Sequence, residues 1–275
     1  VPIRLTLPPT FRDRLAGSGR PQIGMWVCSG SPLAAEICAG AGLDWLLVDG
    51  EHSPIDLDAT LRILQAVAPY PVTPLVRVPS DDAVVLKQLL DLGAQNVLVP
   101  MVDTAEQAEA VVRAVRYPPR GVRGVGSALA RGARWNRVER YLQDADEHVS
   151  LFVQVESATA VANAGAIAAV DGVDGVFVGP SDLAASMGVI GQQTHPDVTA
   201  AVLRAFDAVR AEGKPVGVNA FDPEVAERYL HAGAGFVLVG ADVALLARGT
   251  EGLAQRWVPQ DDDAAGSGPP AHAGD

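Results

Sequence analysis

HAGAGFVLVGAD (231–242) decides how this chain folds. A helical stretch runs into glycine, the usual residue just past a helix C-terminus. A short apolar run, FVLV, follows and ends at Gly240 and a carboxylate. The same phrase returns as AGAGLDWLLVDG (39–50), DLGAQNVLVPM (91–101) and VDGVDGVFVGP (170–180). Continuous β-branched and leucine runs of this kind suit strands buried on both faces. Helices alternating with such strands predict βαβ units and a parallel sheet.

Working outward, the pattern predicts eight strands, near 23–28, 44–49, 73–78, 96–100, 151–156, 174–179, 215–219 and 235–239. Helices are expected near 31–40, 56–67, 82–92, 104–116, 158–169, 197–212, 223–232 and 242–256. Eight such units define an α/β chain folded as a (β/α)8 TIM barrel. A doubly wound sheet fits less well, because GMWVCSGS (24–31) stands where G-x-G-x-x-G would follow the first strand. The barrel is expected over 21–257, after an N-terminal extension (1–20) and before a disordered acidic Gly/Pro tail (258–275). Within the barrel, 117–148 is too long for a plain connection, and long loops often carry function.

Composition narrows the function. Of 275 residues, 48% are hydrophobic and 20% charged, as in ordinary globular proteins. Asp and Glu number 33 against 21 Lys and Arg, a net charge of −12, which argues against nucleic acid as a partner. No apolar run is long enough to span a bilayer, and Val1 to Leu15 lacks the apolar core of a secretory signal. Two cysteines, Cys28 and Cys38, without a disulfide framework point to a reducing compartment and a cytoplasmic protein. Lys87 and Lys214 are the only lysines; one falls mid-helix and the other ahead of strand 7. Neither is placed for Schiff-base chemistry, which needs a lysine at a strand top.

Active sites of such barrels lie at the C-terminal ends of the strands. That rule selects Asp49 and His52 after strand 2, Arg77 on strand 3, Gln154 and Glu156 on strand 5, and Ser181 and Asp182 after strand 6. Glu156 and Asp182 would repel each other unless a cation sat between them, although Asp182 is equally suited to capping a helix. Arg77, flanked by apolar residues, needs an anion, which a substrate or a structural carboxylate could supply. His52 is loop-borne, so it suits either proton transfer or a structural role. Trp26, at the end of strand 1, either lines the pocket or packs.

Six segments then carry a resemblance. LLVDGEHSP (46–54), PLVRVP (74–79), LLDLGAQNVLVPMV (89–102), RYPPRGVRGVGSALARGARWN (116–136), QVES (154–157) and GVDGVFVGPSDLAASMG (172–188) resemble, in order, the metal-dependent class II pyruvate aldolases. The resemblance covers about 20–256 and implies a barrel of the phosphoenolpyruvate/pyruvate type, with its last helix exchanged between protomers of a homo-hexamer. It implies Mg²⁺, Mn²⁺ or Co²⁺ at Glu156 and Asp182, with pyruvate's carboxylate held by backbone N–H groups around Ser181. It assigns Arg77 to the enolate oxygen, His52 to proton relay with Asp91 orienting it, Asp49 to metal-bound water, and Gln154 to a supporting position. Arg131 or Arg134, in the long loop, is expected to meet a distal carboxylate or to bridge subunits. The implied reaction is reversible cleavage of 4-hydroxy-2-oxo acids to pyruvate and an aldehyde such as succinic semialdehyde, in aromatic catabolism. A CoA-thioester lyase of the same barrel type and a catalytically silent oligomeric binding protein are the competing readings.

Overall fold

The computed structural model describes residues 3–259. The tail expected over 258–275 lies outside them from residue 260 onward. Eight parallel strands close on themselves in sequence order: β1 (Gln22–Val27), β2 (Trp45–Asp49), β3 (Thr73–Arg77), β4 (Asn96–Val99), β5 (Ser150–Val155), β6 (Gly175–Val178), β7 (Val216–Asn219) and β8 (Phe236–Ala241). The expected barrel is therefore the observed one, with every strand within about two residues of its predicted bounds. No helix among the described residues is long and apolar enough to cross a membrane.

The expected helices form the outer ring: α2 (Pro32–Ala39), α3 (Leu57–Val67), α4 (Ala83–Leu92), α5 (Ala105–Val115), α9 (Pro196–Ala211), α10 (Pro223–His231) and α11 (Asp242–Trp257). The helix expected at 158–169 is two short ones, α6 (Ala158–Ala162) and α7 (Ala164–Ala168), divided at Asn163, whose side chain donates to the Asp103 carbonyl at 2.8 Å. Two helices were not expected, α1 (Phe11–Gly17) and α8 (Pro180–Ser186). α1 makes the N-terminal segment part of the barrel. Phe11 is fully buried among Trp45, Phe152 and Phe236, and its N–H donates to Asn96 Oδ1 at 2.7 Å. A capping box between Thr10 and Asp13 fixes the helix start, so this ring is aimed into the barrel foot.

Two apolar layers result. The outward faces of the strands pack with the helices through Val, Leu, Ile and Ala. The interior is filled by Trp26, Trp45, Leu47, Leu75, Leu98, Phe152, Phe177, Phe236 and Leu238. These large rings fit because glycines face them. A Cβ at Gly24 would lie 2.6 Å from the Trp45 ring, and one at Gly217 only 2.3 Å from Phe236. Above this packed interior, the side chains change from apolar to charged.

Candidate active site

The strand register sets out the barrel mouth. Asp49 and Arg77, the last residues of β2 and β3, are direct neighbours in the ladder, and Gln154 on β5 lies beside Phe177 on β6. Residues two apart share a strand face, so Leu75 packs inward and Arg77 emerges above it. Trp26 shares the inward strand face of Gly24 and lines the mouth, at a register shift in the β1–β8 pairing. Its indole N–H donates to Asn219 Oδ1 at 2.8 Å. The resulting cavity, about 320 Å³, is lined by Trp26, Asp49, His52, Arg77, Gln154, Ser181 and Asp182, among others.

Arg77 is the best-held group in this cavity. Asp49 Oδ1 accepts from its Nε at 2.9 Å and also lies 2.9 Å from its Nη2. Glu51 Oε2 sits 2.8 Å from Nη1, an ion pair outside hydrogen-bond geometry. The Trp26 ring supports the guanidinium at 4.4 Å. Asp49 also ties down the following loop, accepting from the N–H groups of Glu51 and His52 and from Ser53 Oγ. Glu51 was not among the expected site residues. Burial raises its pKa, against the Arg77 charge that lowers it.

Beneath the β6 end lies Glu156, 3% exposed. Its Oε1 accepts from the Met101 N–H at 2.7 Å, and Oε2 accepts from Gln154 Nε2. Met101 makes that bond from a left-handed backbone, φ 57°, a conformation uncommon for non-glycine residues. Burial pushes the Glu156 carboxyl up to about 7; its two hydrogen bonds oppose this, and the Asp182 and Glu51 charges add to the rise. Gly179 makes room for it, since a Cβ there would fall 2.8 Å from Oε2. Asp182 does not cap a helix. The N-cap of α8 is Gly179, with no side-chain cap, and Asp182 lies exposed in the first turn at the mouth.

These residues fit a hard divalent cation. Gln154 Oε1 is buried without a hydrogen-bond partner, and burial raises the Glu156 carboxyl to about 7, a cost that a bound cation would offset. Among the described residues no cluster of three or more His, Cys, Asp or Glu could enclose a metal. The chain therefore offers an open oxygen-donor site, in which water and substrate would complete the shell.

Two expected positions need correction. Asp91 does not orient His52 within the chain. It lies in the last turn of α4, at the barrel foot, where its Oδ1 pairs with Arg123 Nη2 at 3.0 Å. The His52 side chain is 65% exposed at the mouth, and Glu51 Oε1, 3.8 Å from Nε2, is its carboxylate neighbour. Arg131 is also at the foot and donates to the Leu92 carbonyl at 2.8 Å. Neither it nor Arg134 reaches the mouth of its own barrel, because the 117–148 loop joins the lower ends of α5 and β5 and its backbone meets the end of α4, where the Gly132 N–H donates to the Asp91 carbonyl at 2.9 Å.

A closed parallel barrel with a fixed guanidinium, buried and exposed carboxylates and an imidazole at its C-terminal mouth is the architecture of a barrel enzyme. Residues 22–249 match the family described as HpcH/HpaI aldolase/citrate lyase, and the chain belongs to that family. It is 55% identical over 247 residues to a hydroxypyruvate/pyruvate aldolase of Pseudomonas aeruginosa, covering 90% of this chain and 92% of that one. It is 51% identical over 247 residues to a 4-hydroxy-2-oxo-heptane-1,7-dioate aldolase of Salmonella heidelberg (strain SL476), covering 90% and 94%. Among solved structures, a HpcH/HpaI aldolase/citrate lyase family protein from Burkholderia cenocepacia J2315 superposes with a TM-score of 0.85 at 41% identity, covering 89% of this chain and 97% of that one.

Proposed function

We propose that the chain is a carbon–carbon lyase, a class II pyruvate aldolase that reversibly cleaves 4-hydroxy-2-oxo acids to pyruvate and an aldehyde. The observation that carries this reading is a mouth built around a rigid arginine and without lysine. Lys214 Nζ donates to the Val173 carbonyl at the foot, and Lys87 lies on α4 beside Gly124. An iminium is therefore not available to hold the electrons released when the C3–C4 bond breaks. They must be held as an enolate oxyanion.

Arg77 is the group for that oxyanion. Asp49, Glu51 and Trp26 fix it before substrate arrives, so little reorganisation is needed as charge develops. Glu156 and Asp182 would hold a divalent metal, with Gln154 beside them; when bound it supplies a Lewis acid for the 2-oxo-acid oxygens. The unpaired N–H groups of Ser181 and Asp182, in the first turn of α8, are suited to the pyruvate carboxylate. His52 takes the proton from the 4-hydroxyl in cleavage and returns it in synthesis, since it is the exposed imidazole at the mouth. Asp49 keeps Arg77 and the His52 loop in register with each other.

α11 bears on assembly. It buries only Asp242, whose carboxylate accepts from the N–H groups of Cys28 and Ser29, and it exposes Leu245, Leu246, Leu253 and Trp257. Leu33 and Ile37 of α2 are bare as well. A helix this apolar on its outer face suits exchange with a second copy, within a homo-oligomer such as a hexamer.

Pyruvate release from a panel of 4-hydroxy-2-oxo acids tests the reading, with Arg77→Ala as the diagnostic variant. The expected result is turnover with at least one member of the panel and a fall in kcat of about 10²–10³-fold in the variant. Unchanged turnover in Arg77→Ala would remove the enolate assignment.

A further inference from the structure

The barrel foot, opposite the mouth, holds a second cavity of about 190 Å³. Pro9, Tyr70 and Asn96 contribute to its walls, and three arginines, Arg14, Arg131 and Arg134, line it. None of its lining residues is acidic. On a chain of net charge −12, such a concentration of unbalanced cations is unusual.

Arg131 and Arg134 are the core of the feature. Each uses one nitrogen on backbone: Arg131 Nη1 donates to the Leu92 carbonyl at 2.8 Å, and Arg134 Nη1 to the Arg131 carbonyl at 2.7 Å. No carboxylate bears on the charge of either one. Both crowd over Gly93, where a Cβ would lie 2.8 Å from Arg131 Nη1 and 3.0 Å from Arg134 Nη1. The two like charges therefore stand within about 6 Å of each other, half-buried, where water screens their repulsion poorly. Burial first, and then the Arg134 charge, lowers the Arg131 pKa. The loop that brings them together is itself strained, for Arg134, Trp135 and Asn136 follow one another with φ of 49°, 53° and 61°.

We propose that this foot cavity is a non-catalytic binding site for a small oxyanion, a phosphate or carboxylate group, gripped by the remaining donors of Arg131 and Arg134. Planar guanidinium forks match such groups in pairs of charge-assisted hydrogen bonds. The anion replaces the repulsion between the two cations with attraction to both. The cavity volume suits a phosphate-sized group and excludes a whole nucleotide.

Calorimetric titration of the full chain with inorganic phosphate, and separately with succinate, tests the site and distinguishes the two sources. The expected result is saturable binding with Kd below about 10 mM. Arg134→Gln weakens it at least tenfold, on the order of 1.4 kcal/mol, while pyruvate release stays at the wild-type rate. Arg77→Ala retains the binding, which separates the foot from the cation at the mouth. Arg134 is preferred to Arg131 for substitution because Arg131 also caps the end of α4. A phosphate-dependent rise in Tm, present in wild type and lost in Arg134→Gln, gives a second readout. The proposal is overturned by no saturable binding of either anion, by binding that Arg134→Gln leaves intact, or by binding that Arg77→Ala abolishes.

Discussion

In the proposed reaction, Arg77 would be prepared before substrate arrives for a charge that exists only during turnover. Its side chain is 6% exposed, with carboxylates on two sides of the guanidinium and an indole face on a third, so its position is set by the fold. Sequence alone placed Arg77, Asp49, Glu156 and Asp182 at the strand ends, because barrel strands deliver their last residues to one rim. The same rule brings Glu51 to the rim, in the stretch Asp49-Gly50-Glu51-His52, but assigns it no role. It reads as a loop acid between Asp49 and His52, and its partner Arg77 is distant in sequence. Asp91 falls on its expected helix, but a sequence does not say which end of the barrel a helix-borne carboxylate serves, and spacing carries no information about the path of the 32-residue connection that holds Arg131. Cys28, at the mouth, allows a prediction at this scale. Burial, together with the Asp49 and Asp242 charges, pushes its thiol up to about 11, against the Ser53 hydrogen bond that lowers it. The reactive thiolate is therefore scarce at pH 8. Alkylation of Cys28 by iodoacetamide should be roughly a hundredfold slower than that of a free thiol there, rising about tenfold per pH unit. Peptide mass mapping of rapid labelling at pH 8 would contradict it.

At the scale of elements, the strands were legible to within about two residues because runs such as LLV, VFV and FVLV have no other stable placement. α1 and α8 were not. FRDRLAG carries one large apolar anchor, Phe11, and PSDLAAS makes only two turns, so neither has a helical stripe long enough to read. Each is settled by what it packs against. Phe11→Ala should therefore destabilise the barrel by about 3–5 kcal/mol in urea unfolding, as for other fully buried Phe. A loss under about 1 kcal/mol would mean that α1 merely rests on the foot. α11 presents the opposite case, an element whose apolar residues the single chain leaves uncovered. Leu246→Glu should shift the species in sedimentation velocity toward monomer, with little change in secondary structure. An unchanged sedimentation profile would assign this face another role.

The whole molecule divides its labour along the barrel axis. The interior is apolar and aromatic, closed below by Phe11 and built around glycines that admit the rings. The mouth above it collects the charged groups, which a low-dielectric floor makes more effective toward an oxyanion. With both lysines away from that mouth, the electrons released in the proposed cleavage would rest on an enolate held by Arg77 and a divalent cation. The most direct test is pyruvate release from a 4-hydroxy-2-oxo acid after chelator treatment and after adding back Mn²⁺ or Mg²⁺, with a parallel borohydride trap. Activity should be lost to chelator, restored by metal and unaffected by borohydride. Activity indifferent to chelator, with borohydride inactivating the enzyme and adding mass at Lys87 or Lys214, would contradict it.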